Sequence, residues 1–266
     1  MTITLTQGIL ITLFAIIAGF DFWLEGFYIF RPMIVCTVTG LILGDLKMGI
    51  IAAGLTELAF AGLTPVGGTQ PPNPVLAGIM TVVIAHTTGK SPATAIGLAL
   101  PFSILMQYII LFYYSIFSVF MNKFDKYAEE ANLKAFSRLA LLPTVIVGLT
   151  YGVMTFLSSY AAQTPMKQLV DAMPVWLSHG FEIAGGILPA VGFGLLLKSM
   201  LKKDLIPFLL IGFMAASFIQ FSNLMPVAVI GIALALYEFY NNRKQHQLEQ
   251  EIQLSKVQSG DDDNGI

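Results

Sequence analysis

The sequence predicts an all-α, polytopic integral membrane protein whose helices are broken or re-entrant in several places. Of its 266 residues, 56% are hydrophobic and 11% charged, whereas soluble domains use about 25% charged residues. Several apolar runs reach the roughly 20 residues that a helix needs to cross about 30 Å of hydrocarbon. Other runs are interrupted by clusters of Gly, Pro and amide side chains, and such backbone is tolerated at membrane depth only where protein or a water-filled cavity satisfies its polar groups.

Taken in order, residues 2 to 20 form a first span that ends at Asp21, Glu25 and Arg31, with Trp23, Phe27, Tyr28 and Phe30 interleaved. These aromatics read equally as an interfacial belt or as stacking faces for a ligand. Arg31 is expected to pair with Asp21 or Glu25, which avoids a stranded charge in a low-dielectric setting. Residues 32 to 62 are apolar but broken by Gly44 to Gly49, a turn between two shorter helices. Glu57 lies inside the second of these with no basic neighbour in sequence, and an ionisable group within a membrane segment is a functional candidate by default.

The stretch LTELAFAGLTPVGGTQPPNPVLA, 55 to 77, then breaks the apolar run with Gly67, Gly68, Thr69, Gln70, Pro71, Pro72, Asn73 and Pro74. Glu57, Thr69, Gln70 and Asn73 offer the acceptors and donors that a polyhydroxyl ligand requires, so a polar solute site is expected at this break. A short apolar piece, 75 to 87, ends at His86. A full span follows over 95 to 121, with Pro101 near its start and Gln107 inside as a helix-bridging amide.

Residues 122 to 138 mix charges with Phe124, Tyr127 and Phe136, the pattern of an amphipathic interfacial helix. They hold four of the fourteen basic residues, which places them on the cytoplasmic side. Residues 139 to 162 read as a span, and the mixed stretch after it, punctuated by Pro165 and Pro174, falls on the outer side. At Glu182, Ala184, Gly185 and Gly186 an ionisable group again meets backbone expected to be flexible. The span 183 to 200 ends in Lys198, Lys202 and Lys203. Residues 205 to 239 would reach about 52 Å as one helix, longer than the core, so a break is expected near Gln220 to Pro226. Residues 1–240 form the membrane transport domain, and the charged tail 241–266 is expected to be partly helical and then disordered.

Net charge of -2 and a pI near 5.9, with no stripe of basic residues, exclude nucleic acid as a partner. Cys36 is the only cysteine, so the chain has no disulfide framework or thiol metal cluster, and neither metal nor cofactor is expected. The first nineteen residues lack a basic n-region and a small-residue cleavage site, and read as a retained membrane segment. Phosphate loop, nucleophile elbow and His-Glu-x-x-His signatures are absent from the sequence, which disfavours an ATPase or a protease. Interrupted apolar segments with carboxylates and amides at the breaks point instead to transport. An ion-coupled secondary transporter using Glu57 or Asp21, and an intramembrane enzyme using Asp21, Glu25, Glu57 and Glu182, remain open on these residues alone.

The segments IAGFDFWLEGFYIFRPMIVCTVTGLILGDLKMGIIAAGLTELAFAG (17 to 62) and HGFEIAGGILPAVGFG (179 to 194) resemble the IIC membrane component of the mannose-type sugar phosphotransferase system. The resemblance extends to about Phe239, and PVGGTQPPNP is most similar to the N-acetylgalactosamine or galactosamine branch. It implies a mobile core moving against a scaffold in an elevator-like step, and a IID membrane partner in a trimer of IIC–IID pairs. It also implies phosphate delivered from phosphoenolpyruvate through enzyme I, HPr, IIA and IIB. The phosphoryl-donor histidine would then belong to IIB, leaving His86, His179 and His246 without a catalytic task and this chain as a non-catalytic permease subunit. Carried over onto this sequence, the resemblance assigns substrate contacts to Asp21, Glu57, Gln70 and Asn73, with Thr69 in reach and Glu182 either binding or bracing the backbone.

Overall fold

The computed structural model describes residues 2–63, 70–219 and 225–261, and every regular element among them is helical. The chain divides into two compact units, Met1–Ser199 and Met200–Ile266. In the first, α1 (Leu5–Leu24), α2 (Pro32–Leu43), α3 (Leu46–Phe60), α4 (Pro74–Thr88), α5 (Pro92–Phe117), α6 (Met121–Glu129), α7 (Leu133–Phe156), α8 (Gln163–Asp171) and α9 (Val175–Met200) follow one another. The second contains α10 (Ile206–Phe218) and α11 (Met225–Asp261), while the break expected near Gln220 to Pro226 falls mostly on residues 220–224, outside the described ones. α11 is continuous through position 240 and on to Asp261, so Gly260 and Asp261, where the tail was expected to be disordered, are helical, and residues 262–266 lie outside the described ones.

Among the described residues, four stretches are long and apolar enough to cross a membrane: Leu5–Leu24, Pro92–Glu129, Leu133–Ala161 and Val175–Lys198. α2 and α4 are shorter apolar helices, at about 18 and 22 Å by their rise per residue. α4 is the centre of the first unit. Apolar on all sides, it is buried from Val75 to Ala85 without interruption, as a helix lacking a polar face must be. α5 and the α2–α3 hairpin pack on it, while α1 packs along α7. The hairpin closes at Gly44, left-handed at φ 82°, followed by Asp45, whose carboxylate accepts from Met48 N at 3.1 Å and caps α3. Gly40 and Gly49 meet backbone to backbone across it, leaving no room for a Cβ on either.

Two further expectations change. The segment 122 to 138 is not one interfacial helix. Ala131 turns left-handed at φ 51°, and Asn132 caps a new helix by accepting from Ala135 N at 3.2 Å, so α6 ends and α7 begins inside it. The glycines after Glu182 do not loosen the backbone either, because α9 runs unbroken through them. Gly185 instead lets α9 approach the Ala93 carbonyl of α5, and small residues serve such close helix contact in membranes.

The start of α4 is tied down by polar bonds. Asn73 Oδ1 accepts from Leu76 N at 3.1 Å, and Asn73 Nδ2 donates to the hydroxyl of Tyr151 on α7. Ser103 of α5 donates to the Asn73 carbonyl at 2.7 Å and accepts, through its own carbonyl, from Asn73 N at 3.1 Å. Tyr151 is fully buried. Tyr151→Phe therefore orphans an amide donor and is expected to cost about 1–3 kcal/mol, read as a lower thermal midpoint of the detergent-solubilised protein; an unchanged midpoint would show that this bond carries no net stability.

Candidate functional site

The site is built where α1 ends, α2 begins and the polar break returns. Asp21 occupies the last turn of α1 and is 5% exposed. Its Oδ1 accepts from Phe27 N at 2.6 Å, and its Oδ2 from Ile29 N at 2.5 Å and Phe30 N at 3.3 Å. Charge-assisted bonds to three amides hold the whole loop between α1 and α2. Within that loop Glu25 (φ 49°) and Tyr28 (φ 59°) take the left-handed conformation without being glycine, a strain of about 1–3 kcal/mol each that persists only where surroundings enforce it. Here the enforcing group is the Asp21 carboxylate.

Arg31 closes the loop and stands at the N-cap of α2. It pairs with Glu57 of α3, not with Asp21 or Glu25 as its sequence neighbourhood suggested. Nε reaches Glu57 Oε1 at 2.8 Å, and Nη2 bonds the same oxygen. Glu57 Oε2 accepts from Met33 N at 3.0 Å, so the carboxylate also caps the positive end of α2. The physical reason is register: Arg31 and Glu57 are equidistant in sequence from the hairpin turn at Gly44, and antiparallel helices bring such residues together.

Next to this pair lies a cavity of about 250 Å³ walled by Phe22, Glu25, Tyr28, Phe30, Arg31 and Gln70, among others. A smaller one of about 120 Å³ adjoins it, lined by Phe22, Trp23, Glu25, Gln70 and Tyr114. Small-molecule sites run to about 300–1,000 Å³, so a cavity just under that range has room for one small polar ligand and not for a longer chain. The aromatic wall is organised: Phe22 meets Phe30 edge-on at 5.5 Å between ring centres, and Trp23 stacks on Tyr114 at 5.5 Å. Gln107 of α5 donates through Nε2 to the Gln70 carbonyl and so bridges elements as an intramembrane amide was expected to. A larger cavity of about 430 Å³ in the second unit, between α10 and α11, is lined mostly by aliphatic residues with Glu238 and Asn242 at its edge. It lacks the convergent polar groups that orient a hydroxylated ligand.

The expected site residues separate. Gln70 lines both lobes, and Glu57 reaches the larger one through Arg31. Asp21 lies beneath the wall with both oxygens used by backbone donors, and Asn73 is buried with its amide spent on Leu76 and Tyr151. Glu182 is exposed on α9, 3.6 Å from His179, and lines neither lobe. Thr69 falls outside the described residues. Glu25, Arg31, Phe22 and Tyr114 were not singled out as ligand contacts from sequence; the left-handed Glu25 and Tyr28 belong to the fold alone, while the even spacing of Arg31 and Glu57 about Gly44 was a readable signal.

Residues 5–237 match the family model described as the sorbose-specific IIC component of the phosphotransferase system. The chain belongs to this family. This IIC component is 57% identical over 264 residues to N-acetylgalactosamine permease IIC component 1 of Escherichia coli strain K12, covering 99% of each chain. It is 35% identical over 237 residues to the sorbose-specific EIIC component of Klebsiella pneumoniae, covering 89% of each. Among solved structures, one described only as that of a membrane protein superposes with a TM-score of 0.79 at 29% identity, covering 90% of this IIC component and 96% of that chain. A chain from the mannose transporter ManYZ in complex with a microcin gives 0.57 at 29% identity, with 90% and 97% covered. The fold of this IIC component is therefore the membrane fold of mannose-type IIC proteins, as its motifs implied.

Proposed function

We propose that this IIC component carries N-acetylgalactosamine, or a closely related amino sugar, across the membrane together with a IID partner for phosphorylation by IIB. The observation that carries this reading is the 57% identity, over 99% of both chains, to a relative named as an N-acetylgalactosamine permease component. The small cavity with aromatic walls and a convergent Arg31, Gln70 and Glu25 agrees with it. In this reading Gln70 and Arg31 face the sugar and Glu57 acts through Arg31, which it holds, while Asp21 and Asn73 hold the walls.

A second membrane subunit is supported by α9. Its apolar window is 11% buried within the chain, against 33–44% for the other three candidate spans, which leaves a long apolar surface for lipid and a IID helix. In the same reading IIA and IIB dock from the cytoplasm, IIC–IID pairs form trimers, and the core carrying the site moves against a scaffold. The test is co-expression with IID and assay of phosphoenolpyruvate-dependent phosphorylation of N-acetylgalactosamine by the membranes, with mannose as comparison and IIB omitted as control. IIB-dependent phosphorylation of the amino sugar is expected. Uptake that persists without IIB and collapses with an uncoupler would replace this reading with an ion-coupled carrier.

A further inference from the structure

The larger and smaller cavities share Phe22, Glu25 and Gln70, so they are two lobes of one site that meet over these residues. At about 120 Å³ the smaller lobe is too small for a second sugar ring, yet its walls are specific. Trp23 and Tyr114, stacked on each other, give it apolar aromatic surface. Tyr114 lines this lobe and not the larger one.

The polar groups of the smaller lobe form a complementary pair. Among the described residues, nothing bonds the Glu25 carboxylate, and the Gln70 side-chain amide is likewise unbonded, its backbone carbonyl alone being taken by Gln107. An ionised carboxylate only accepts, whereas a carboxamide NH₂ donates. One acceptor, one donor and aromatic faces fit a secondary amide bearing a methyl group. A bare ammonium would satisfy Glu25 and leave Gln70 and the rings unused, and a hydroxyl would leave most of the lobe empty.

We propose that the lobe between Glu25, Gln70 and the Trp23–Tyr114 stack is the subsite for the acetamido substituent of the sugar. Glu25 accepts from the amide N–H, Gln70 donates to the amide carbonyl, and the methyl group lies against the aromatic faces. This rests on the sugar-carrier reading above and names what within that site selects an N-acetylated sugar.

The experiment measures binding of N-acetylgalactosamine, galactosamine and galactose to the full chain in membranes with its IID partner, for wild type, Tyr114→Ala, Glu25→Ala and Glu57→Ala. Tyr114 is half exposed, so its truncation is compatible with folding, and each variant's thermal midpoint is recorded alongside. Tyr114→Ala and Glu25→Ala are each expected to lower the preference for N-acetylgalactosamine over galactose by about tenfold, as loss of one charged hydrogen bond or of a stacked face implies. Equal weakening of all three sugars by these two variants, or a loss confined to galactosamine, would overturn the acetamido assignment and leave the sugar site standing. A Glu57→Ala variant that binds every sugar as wild type does would overturn the site itself.

Discussion

Asp21→Ala is expected to lower the thermal midpoint by about 10 °C and to abolish measurable sugar binding. The substitution removes one carboxylate but strands three backbone donors, those of Phe27, Ile29 and Phe30. Each orphaned N–H costs about 1–3 kcal/mol, so the total is about 3 kcal/mol or more, and in a chain of this length 1 kcal/mol moves the midpoint by about 2–4 °C. The loop that presents Glu25, Tyr28 and Arg31 loses the group that enforces its left-handed turns. Asp21→Asn is expected to recover only part of the loss, because one of its terminal atoms becomes a donor facing a donor. Differential scanning fluorimetry and limited proteolysis between α1 and α2 read this directly. A variant with native midpoint and native cleavage would mean that the carboxylate does not organise the loop.

Glu57→Gln is expected to reduce sugar affinity by about ten- to a hundredfold while the protein still folds. The amide keeps an acceptor for Met33 N but loses the charge that holds Arg31. The side chains of Arg31 and Glu57 are 35% and 20% exposed, so the stability cost lies between that of a surface pair and a buried one, about 1–2 kcal/mol. Binding suffers more, since Arg31, the charged donor that lines the cavity, loses the carboxylate that aims it, and a hydrogen bond to a charged group is worth about 1.5–3 kcal/mol. Combining Glu57→Gln with Arg31→Gln should restore part of the stability lost in either single variant, because groups in one ion pair are not additive. Strict additivity in such a cycle would mean that the two side chains do not act together.

The helices were legible because bilayer thickness constrains length and because glycine and proline punctuate the runs. The turn at Gly44 and the cap at Asn73 both follow from residues with few conformational alternatives. The division of α6 from α7 was less legible: Ala131 has no intrinsic preference for a left-handed turn, and only the capping bond of Asn132 makes it pay. At the site, sequence reasoning found polar residues near the break but did not tell ligands from struts. Asp21 and Asn73 are as polar as Gln70, and what separates them is how fully the fold engages their polar atoms: backbone donors take both Asp21 oxygens, Leu76 and Tyr151 take the Asn73 amide, and Gln70 shares only its backbone carbonyl. That depends on contacts across the chain, such as Asn73 with Tyr151.

The caging of α4 has a consequence for the tempo of the molecule. Helical amides surrounded by protein on every side exchange their protons with solvent only when the unit as a whole opens, whereas a loop held by one side chain opens locally. Deuterium labelling should therefore leave Ile79 to Ile84 among the slowest positions, with the amides of Phe27 to Phe30 far ahead of them. One bank of the cavity, running from Gln70 into α4, is anchored to the slowest clock in the chain, and the opposite bank keeps the time of a single carboxylate.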